Sequence, residues 1–275
     1  MNRRDFLQHA GFAAGALALG PPAVRRVRPL GLELYTVRHE LSRDPEGTLA
    51  AVKAIGYEYV EVVWPMMTQT ASQFRTMLDR AGLRAPSGHI STSAFQVGWE
   101  RRLEAARTLG HEYLFVASLP SDVSRTLDDW REWADRFNAA AAVSRRHGIW
   151  LGFHTEPDHF PLIDGKVPYE VFVERLDPSL VRLQLDVGNV AMSGRDPMEY
   201  LARWRDRYWS FHLKDVPQMG AVRDTVIGTG KLDFARMLRA AGPLENKLLY
   251  VEQEGSANAI DSSRRNYAYL SNLRL

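Results

Sequence analysis

The chain lacks cysteine altogether, and it carries no large excess of charge of either sign. Its 275 residues include 35 basic and 33 acidic side chains, so the formal net charge is only +2. The absence of cysteine excludes disulfides, cysteine-ligated zinc sites and thiol catalysis. Proteins that bind nucleic acids usually concentrate basic charge on one face, so this balance argues against a nucleic-acid partner. With 45% hydrophobic residues, the composition is that of an ordinary globular protein with a substantial core.

Several catalytic motifs are missing as well. There is no HExxH metalloprotease sequence and no GxSxG nucleophile elbow. The segment 228–231 (GTGK) resembles a phosphate-binding loop, but Leu232 stands where a Walker A motif needs Ser or Thr. We interpret it as a glycine-rich connection between a strand and a helix. The segment 154–156 (HTE) has the order of a zinc deaminase motif, whose cysteine ligands the chain does not contain.

Long hydrophobic runs are absent too, apart from a short apolar stretch near the start of the chain. An arginine pair at 3–4 precedes the apolar residues 11–19, and 20–23 supply glycine, proline and alanine. This order is typical of an export signal, and the arginine pair resembles a twin-arginine signal. We expect residues 1–25 to direct export to the periplasm or secretion through the twin-arginine machinery. An uncleaved membrane anchor remains an open alternative.

From residue 29 onward, short apolar runs alternate with amphipathic ones. The pattern predicts strands at 30–35, 57–63, 84–89, 113–117, 150–154, 181–187, 209–213 and 248–252. It predicts helices at 46–55, 71–81, 99–109, 127–147, 169–175, 197–207, 234–241 and 263–273. Eight alternating pairs indicate the α/β class with a parallel sheet. No glycine-rich turn follows the first strand, as an open nucleotide-binding sheet would have. We therefore predict a single (β/α)8 TIM barrel over residues 29–275.

Alternation of side chains along each strand gives a direction to the polar residues at the strand ends. In the last four predicted strands the leucine, phenylalanine and valine side chains share the outward face. His154, Asp186, His212 and Glu252 then point into the barrel at its C-terminal end, where barrel enzymes build their sites. Glu156 lies two residues beyond His154 and shares its face.

One inward His or Asp is usually structural, but four at adjacent strand ends are hard to explain without a cation. Burying that much acid would raise pKa values or leave charge unpaired. Carboxylates with imidazole suit one divalent ion, such as Mn²⁺, Zn²⁺, Co²⁺ or Mg²⁺. Glu61 and His89 lie at the ends of the second and third predicted strands, on the inward face like the four residues above. Tyr35, Trp64 and Phe95 lie near predicted strand ends as well. We predict that these residues contact a substrate; the alternative for each aromatic ring is core packing.

Six short segments carry a family resemblance. They are 32–38 (LELYTVR), 55–61 (IGYEYVE), 185–189 (LDVGN), 211–215 (FHLKD), 227–234 (IGTGKLDF) and 251–254 (VEQE). Together they resemble the sugar phosphate isomerase/epimerase family of xylose-isomerase-like TIM barrels, over essentially everything after the signal. Within the first segment, Glu33 stands where such relatives commonly have Gln.

The resemblance implies a divalent metal held by Glu, Asp, His and Glu on strands five to eight. The last three positions correspond to Asp186, His212 and Glu252. At strand five, His154 occupies the ligand position by register, and Glu156 stays open as a ligand or a base. The implied partner is a small-molecule sugar.

The mechanism that we expect is proton transfer at a carbon next to a carbonyl of a sugar or keto-sugar. The metal would stabilise an enediolate, while Glu252 and Glu156 remove and return the proton. Lys214 would bind a substrate oxygen; the alternative is a surface salt bridge with Asp215. Return of the proton gives an epimerase or isomerase. Loss of a β-oxygen gives a lyase or dehydratase, for example on a 3-keto-glycoside.

Two functions of other classes remain as alternatives. An abasic-site endonuclease on the same barrel would need more histidine ligands and a basic groove, which the near-neutral chain does not indicate. A non-catalytic exported sugar-binding protein would keep the pocket without metal chemistry. The binding of a divalent metal distinguishes this last alternative from the enzyme.

Overall fold

The barrel closes in chain order. The computed structural model describes residues 26–95 and 97–275. Within them each strand pairs in parallel with the next, and the eighth pairs back onto the first. The strands are β1 (Gly31–Glu33), β2 (Tyr59–Val63), β3 (Arg84–Ile90), β4 (Tyr113–Val116), β5 (Trp150–His154), β6 (Val181–Asp186), β7 (Tyr208–Leu213) and β8 (Leu248–Val251). The predicted α/β class and single eight-stranded barrel are confirmed.

Helices cover the outside of the barrel and connect the strands. They are α1 (Arg38–Arg43), α2 (Pro45–Ile55), α3 (Ala71–Ala81), α4 (Trp99–Leu109), α5 (Leu127–Arg146), α6 (Pro168–Arg175), α7 (Val187–Met192), α8 (Pro197–Trp204), α9 (Phe234–Ala240) and α10 (Ala259–Asn272). Threonine side chains cap two of their N-termini, Thr70 on α3 and Thr126 on α5. Helix α3 ends at Gly82, whose φ of 68° suits glycine best.

The predicted strands match the observed ones to within two residues at their ends, and the larger differences have local causes. Strand β1 ends at Glu33 because the next four residues, Leu34–Val37, form a 3-10 helix. Strand β6 ends at Asp186, whose carboxylate accepts the Asn189 N–H at 2.9 Å and caps α7. The sequence pattern did not predict α7, because its single buried turn is too short to show a helical period.

Aromatic rings fill the barrel interior two residues before the polar strand ends. Tyr59 and Tyr250 meet edge to face, with ring centroids 5.1 Å apart. Gly152 faces Phe115 so closely that a Cβ at this position would lie 2.4 Å from the ring. We call Tyr59, Phe115, Gly152 and Tyr250 the aromatic layer. It closes the barrel beneath the strand ends, as packed side chains do in TIM barrels.

One carboxylate organises the connection between β7 and α9. The Asp215 carboxylate accepts hydrogen bonds from the backbone N–H groups of Val216, Gly228, Gly230 and Leu232, at 2.9 to 3.2 Å. Two of these amides belong to the GTGK segment, so they already have an acceptor within the chain. The interpretation of this segment as a structural connection agrees with these bonds.

The N-terminal signal predicted at residues 1–25 lies outside the described residues and stays a prediction. The first described residue, Arg26, forms an antiparallel bridge with Arg274 near the C-terminus. No helix in the described part of the chain combines the length and the apolar character that crossing a membrane would require.

Candidate metal centre and active site

Four side chains from four adjacent strands converge at the C-terminal end of the barrel. His154 ends β5, Asp186 ends β6, His212 lies near the end of β7, and Glu252 follows β8 directly. One ligand atom from each lies within 4.8 Å of the others, and all four side chains are buried. Strand alternation accounts for this convergence, because each of the four lies on the inward face of its strand.

His212 lies at the centre of this group and contacts a carboxylate with each ring nitrogen. Its Nδ1 is 2.7 Å from Glu252 Oε2, and its Nε2 is 2.5 Å from Glu61 Oε2. Burial alone would lower the pKa of His212, but Glu252 and Glu61 outweigh burial and hold the pKa well above its usual value. Without a metal, His212 is therefore an imidazolium between two carboxylates.

A lysine ammonium lies among the carboxylates of the same centre. Lys214 Nζ is 3.0 Å from Asp186 Oδ2, 3.3 Å from Glu252 Oε2 and 2.6 Å from Glu254 Oε1. It also donates to Asn189 Oδ1 at 3.0 Å. Burial works against the charge of Lys214, yet these carboxylates hold its pKa well above the usual value.

The alternative assignment of Lys214 to a surface salt bridge with Asp215 is wrong. The Lys214 side chain is only 1% exposed, and its ion pairs run to the strand-end carboxylates. Asp215 instead uses its carboxylate to hold the backbone of the β7–α9 connection. The two neighbours along the chain point in different directions, as strand alternation requires.

The donor set fits a divalent ion. Asp186 Oδ2 is buried and, within the described residues, accepts no hydrogen bond of good geometry, although the Lys214 ammonium lies 3.0 Å away. Burial raises the pKa of Asp186 to about 7 in spite of Lys214, so the ammonium alone does not satisfy this carboxylate. Two imidazoles and two carboxylates suit Zn²⁺, Mn²⁺ or Co²⁺. His154, Asp186, His212 and Glu252 are the residues that would hold it.

Glu156 lies beside the four-residue group without belonging to it. Its Oε2 accepts from Asn189 Nδ2 at 3.0 Å, and its Oε1 lies 3.7 Å from His154 Nε2. Its backbone N–H donates to the buried ring of His159, which stacks on Phe153. Burial raises the pKa of Glu156 to about 8, even though Lys214 opposes this shift. In the absence of metal, Glu156 is therefore mostly protonated at neutral pH.

A cavity of about 380 Å³ opens above the strand ends. Its walls combine acidic, imidazole and aromatic side chains with small polar ones, a surface suited to a molecule rich in hydroxyl groups. The lining residues include Glu33, Tyr35, His89, His154, Glu156, Glu252 and Glu254. A larger groove of about 850 Å³ lies outside the barrel against α4 and α5, away from the metal-competent group.

The residues predicted to contact substrate fall into two sets. Tyr35 and His89 line the cavity. Trp64 is not among its lining residues and donates its indole N–H to His111 Nε2 at 3.0 Å. Glu61 is fully buried beneath the floor. Phe95 lines the outer groove and packs on other aromatic rings, which agrees with the alternative of core packing.

A second acidic and imidazole group adjoins the first and shares His212 with it. Ligand atoms of Glu33, Glu61, His89 and His212 are also within 4.8 Å of one another. Both carboxylate oxygens of Glu33 are buried and accept no hydrogen bond within the described residues. Burial raises the pKa of Glu33 well above its usual value, and the nearby Glu61 raises it further. Glu33 is therefore neutral over a wide pH range.

Sequence reasoning missed two residues of this site. Gln184 contacts Glu61, His89 and His154, and Asn189 contacts both Glu156 and Lys214. The sequence did contain a signal for Gln184, because it is a polar residue two positions before Asp186 and therefore on the same inward face of the strand. Asn189 had none, since the turn of helix that carries it was not predicted.

Comparison with known proteins places this geometry in a family. A family model described as xylose isomerase-like TIM barrel matches residues 49–272. An inosose dehydratase from Geobacillus kaustophilus (strain HTA426) is 32% identical over 91 residues, which are 33% of this chain and 29% of that protein. The chain thus aligns with less than one third of that relative's length.

Solved structures share the fold. A sugar phosphate isomerase/epimerase from Parabacteroides distasonis ATCC 8503 superposes with a TM-score of 0.76 at 24% identity, covering 88% of this chain and 93% of that one. The IOLI protein, whose structure contains a bound zinc atom, superposes with a TM-score of 0.67 at 14% identity, covering 88% and 96%. The matched family model spans most of the chain, and the chain therefore belongs to the xylose isomerase-like TIM barrel family.

Proposed function

We propose that this chain is a divalent-metal-dependent enzyme that moves a proton at a carbon next to a carbonyl of a sugar, keto-sugar or related polyol. The observation that carries the proposal is the convergence of His154, Asp186, His212 and Glu252 on one point at the floor of the cavity. A divalent ion held there would supply Lewis-acid chemistry, drawing charge from substrate oxygens as it develops.

The residues around that point would accept a proton, donate a proton and hold the ligand carboxylates in place. Glu252 lines the cavity. Lys214 and His212 outweigh the effect of burial and hold the pKa of Glu252 well below its usual value. Glu252 is therefore ionised and able to accept a proton. Glu156 lines the cavity, and burial raises its pKa to about 8 in the metal-free protein, which favours the protonated form that is able to donate one. Lys214 holds the carboxylates of Asp186 and Glu252 in place.

The same arrangement supports either an isomerase or epimerase, or a dehydratase. Return of the proton to carbon gives the first two reactions. Delivery of the Glu156 proton to a departing β-hydroxyl gives the third, since a protonated carboxyl at neutral pH is a general acid for a poor leaving group. The similarity to an inosose dehydratase favours a cyclic keto-polyol as the first substrate to test for this outcome.

Proton exchange tests the proposal directly. Chelator-treated protein, reloaded separately with Mn²⁺, Zn²⁺, Co²⁺ or Mg²⁺, is incubated in D2O with a panel of keto-sugars and cyclic keto-polyols. We expect metal-dependent deuterium incorporation next to the carbonyl of at least one compound. Appearance of an isomer or epimer identifies one reaction, and loss of water identifies the other. Absence of exchange with every metal and every compound would contradict the mechanism.

Substitution of Glu156 separates its role from metal binding. Glu156→Gln keeps the shape of the side chain but cannot donate a carboxyl proton, and we expect kcat to fall by about 10²- to 10⁴-fold. Metal content should stay unchanged, because Glu156 lies outside the four-residue group. Asp158→Asn is the matched control, since this carboxylate is exposed two residues away. Loss of metal from Glu156→Gln would instead make Glu156 a ligand.

A further inference from the structure

A buried glutamine connects the two polar groups of the barrel. Gln184 lies on β6 two residues before Asp186 and is fully buried. Its amide nitrogen is 3.0 Å from each carboxylate oxygen of Glu61 and donates to Ser210 Oγ at 2.8 Å. Its amide oxygen is 2.7 Å from His89 Nε2 and 2.9 Å from His154 Nδ1. Both ends of the amide are therefore engaged.

The carboxylate of Glu61 determines which way this amide points. Its Oε1 accepts from Ser87 Oγ at 2.6 Å and its Oε2 faces His212 Nε2 at 2.5 Å, so both oxygens are placed as acceptors. An ionised carboxylate only accepts hydrogen bonds, so the group that faces it must be the NH2 of Gln184. The reversed amide would place its carbonyl oxygen against two carboxylate oxygens and its NH2 against the imidazoles, so the Gln184 NH2 would no longer donate to Glu61. The amide oxygen is thereby fixed toward the imidazoles.

The amide oxygen in turn determines where His154 carries its proton. A carbonyl oxygen is an acceptor only, so the Nδ1 that faces it carries a hydrogen. In a neutral ring the other nitrogen, Nε2, then keeps its lone pair. This nitrogen lies on the side of Glu156 and Asn189, at 3.7 and 3.5 Å. That side belongs to the cavity, where the four-residue group converges.

Glu61 acts on His212 by the same rule. Its Oε2 faces His212 Nε2 as Glu252 Oε2 faces His212 Nδ1, so both ring nitrogens carry hydrogens in the metal-free protein, and Nδ1 is the nitrogen that would give up its hydrogen to a metal. This Nδ1 points toward Glu252, another member of the four-residue group. The Glu61 carboxylate therefore holds a hydrogen on His212 Nε2 directly and, through Gln184, one on His154 Nδ1.

We propose that Gln184 is a positioning residue that, oriented by Glu61, holds His154 with its proton on Nδ1 and presents Nε2 to the divalent ion. The inference rests on the proposed metal-dependent function and identifies the strand-five ligand as His154, leaving Glu156 for proton transfer. Groups that hold the distal nitrogen of a metal-binding histidine commonly contribute about 10- to 100-fold to metal affinity. Gln184 itself touches neither the metal position nor the substrate.

The ring protons of the wild-type protein provide the first test. Long-range ¹H–¹⁵N correlation spectra of ¹⁵N-histidine-labelled, chelator-treated protein distinguish the two neutral ring forms. The chain has 8 histidines, and the His154 signals are identified by their loss in His154→Gln. We expect a proton on Nδ1 and a bare Nε2. A proton on Nε2 in the metal-free wild type would overturn the proposal, whatever the variants show.

Removal of the amide provides the second test. Gln184→Met keeps the length of the side chain without its hydrogen bonds, so the His154 proton should redistribute between the two nitrogens. The dissociation constant for Zn²⁺, measured by competition with a chelating dye, should rise by about 10- to 100-fold. Ser210→Ala is the matched control: it removes a partner of the Gln184 nitrogen and leaves the imidazole side untouched. It should change neither the ring form nor the affinity.

The outcomes separate this inference from the proposed function. A folded Gln184→Met protein with the wild-type ring form and Zn²⁺ affinity would overturn the role of Gln184 alone. If that variant does not fold, Glu61→Gln replaces it, because loss of the charge lets the amide turn and the His154 proton should again redistribute. Wild-type protein with the expected ring form but without affinity for any divalent ion would leave the ring assignment standing and remove the metal-dependent function.

Discussion

The barrel interior has two layers built on the same strands and the same face, and they differ in nearly everything else. The aromatic layer of Tyr59, Phe115, Gly152 and Tyr250 is closely packed, with rings edge to face and no room for a further Cβ. The charged layer, two residues further along, consists of Glu33, Glu61, His89, His154, Asp186, His212 and Glu252. It contains buried carboxyl oxygens that accept no hydrogen bond, namely both oxygens of Glu33 and Oδ2 of Asp186.

The contrast shows how strand direction divides stability from chemistry. The alternation of side chains along a strand determines which residues point inward, and the residues of both layers lie on this inward face. Position along the strand decides the rest, because only the C-terminal ends open onto the loops that form the cavity. The aromatic layer is satisfied by packing and by the hydrogen bonds of its two tyrosine hydroxyls. The charged layer is satisfied only in part, by one ammonium and by shared protons, and a cation bound there would supply the missing positive charge.

Lys214→Met offers the strongest way to break the charged layer. It removes the ammonium that compensates Asp186 and Glu252. In the presence of chelator we expect a loss of about 3–5 kcal/mol in the free energy of unfolding, since unpaired buried carboxylates remain. Saturating Zn²⁺ should recover part of this loss by supplying positive charge to the same oxygens. Urea unfolding with and without Zn²⁺ measures both quantities.

The matched control is Lys53→Met, on the exposed side of α2, which should change stability by less than about 0.5 kcal/mol. An equal loss for Lys214→Met with and without Zn²⁺ would mean that the ammonium has a structural role only. The carboxylates it pairs with would then not be the oxygens that a metal uses.

Gly152→Ala tests the aromatic layer in the same way. The new Cβ would lie 2.4 Å from the Phe115 ring and 2.8 Å from the Arg182 carbonyl oxygen. We expect a loss of about 1–3 kcal/mol from overpacking, or roughly 2–4 °C in Tm for each kcal/mol. Affinity for Zn²⁺ should stay at the wild-type value, because the layer carries no ligand. Ser72→Ala, at an exposed position of α3 outside the barrel, is the control.

The sequence predicts the division between these layers well, for a physical reason. Period-2 alternation and the order of strands and helices are local properties, and they are enough to predict eight strands and the inward direction of His154, Asp186, His212 and Glu252. The family resemblance added three of these as ligands. Local sequence patterns do not show which of the inward side chains contact one another across the barrel.

The role of Gln184 could not be predicted from the sequence, because it depends on contacts between residues far apart along the chain. Its partners Glu61 and His89 come from the opposite side of the barrel, 123 and 95 residues away along the chain. Glu61 was consequently expected to contact substrate, although it lies beneath the cavity floor. Lys214 and Asp215 show that charges on adjacent residues do not identify ion pairs. Their opposite charges suggest a pair, but side chains alternate along the strand, so Lys214 contacts Asp186 and Asp215 accepts from Gly228.

The smallest change that we consider in the charged layer concerns a single proton on Glu33. Its native pKa lies well above the usual value because of burial and then Glu61, so the folded state holds a proton that the unfolded chain releases near its ordinary pKa. Stability from this group is therefore complete at low pH and declines as the pH rises through that window. Glu33→Gln has no proton to lose, and its amide is able to donate to the Glu61 carboxylate at every pH.

We therefore expect Glu33→Gln, in chelator, to match the wild type in Tm near pH 4 and to exceed it progressively at higher pH. At pH 8 the gain is the cost to the wild type of retaining the Glu33 proton, about 1.4 kcal/mol for each pH unit above the unfolded pKa until the native pKa is reached. Glu104→Gln, on the exposed side of α4, is the control and should show no such trend. A gain that is the same at every pH would mean that Glu33 is ionised in the folded protein. The charged layer would then hold one more negative charge than burial and the missing hydrogen bonds of Glu33 indicate, and a cation would have to balance it.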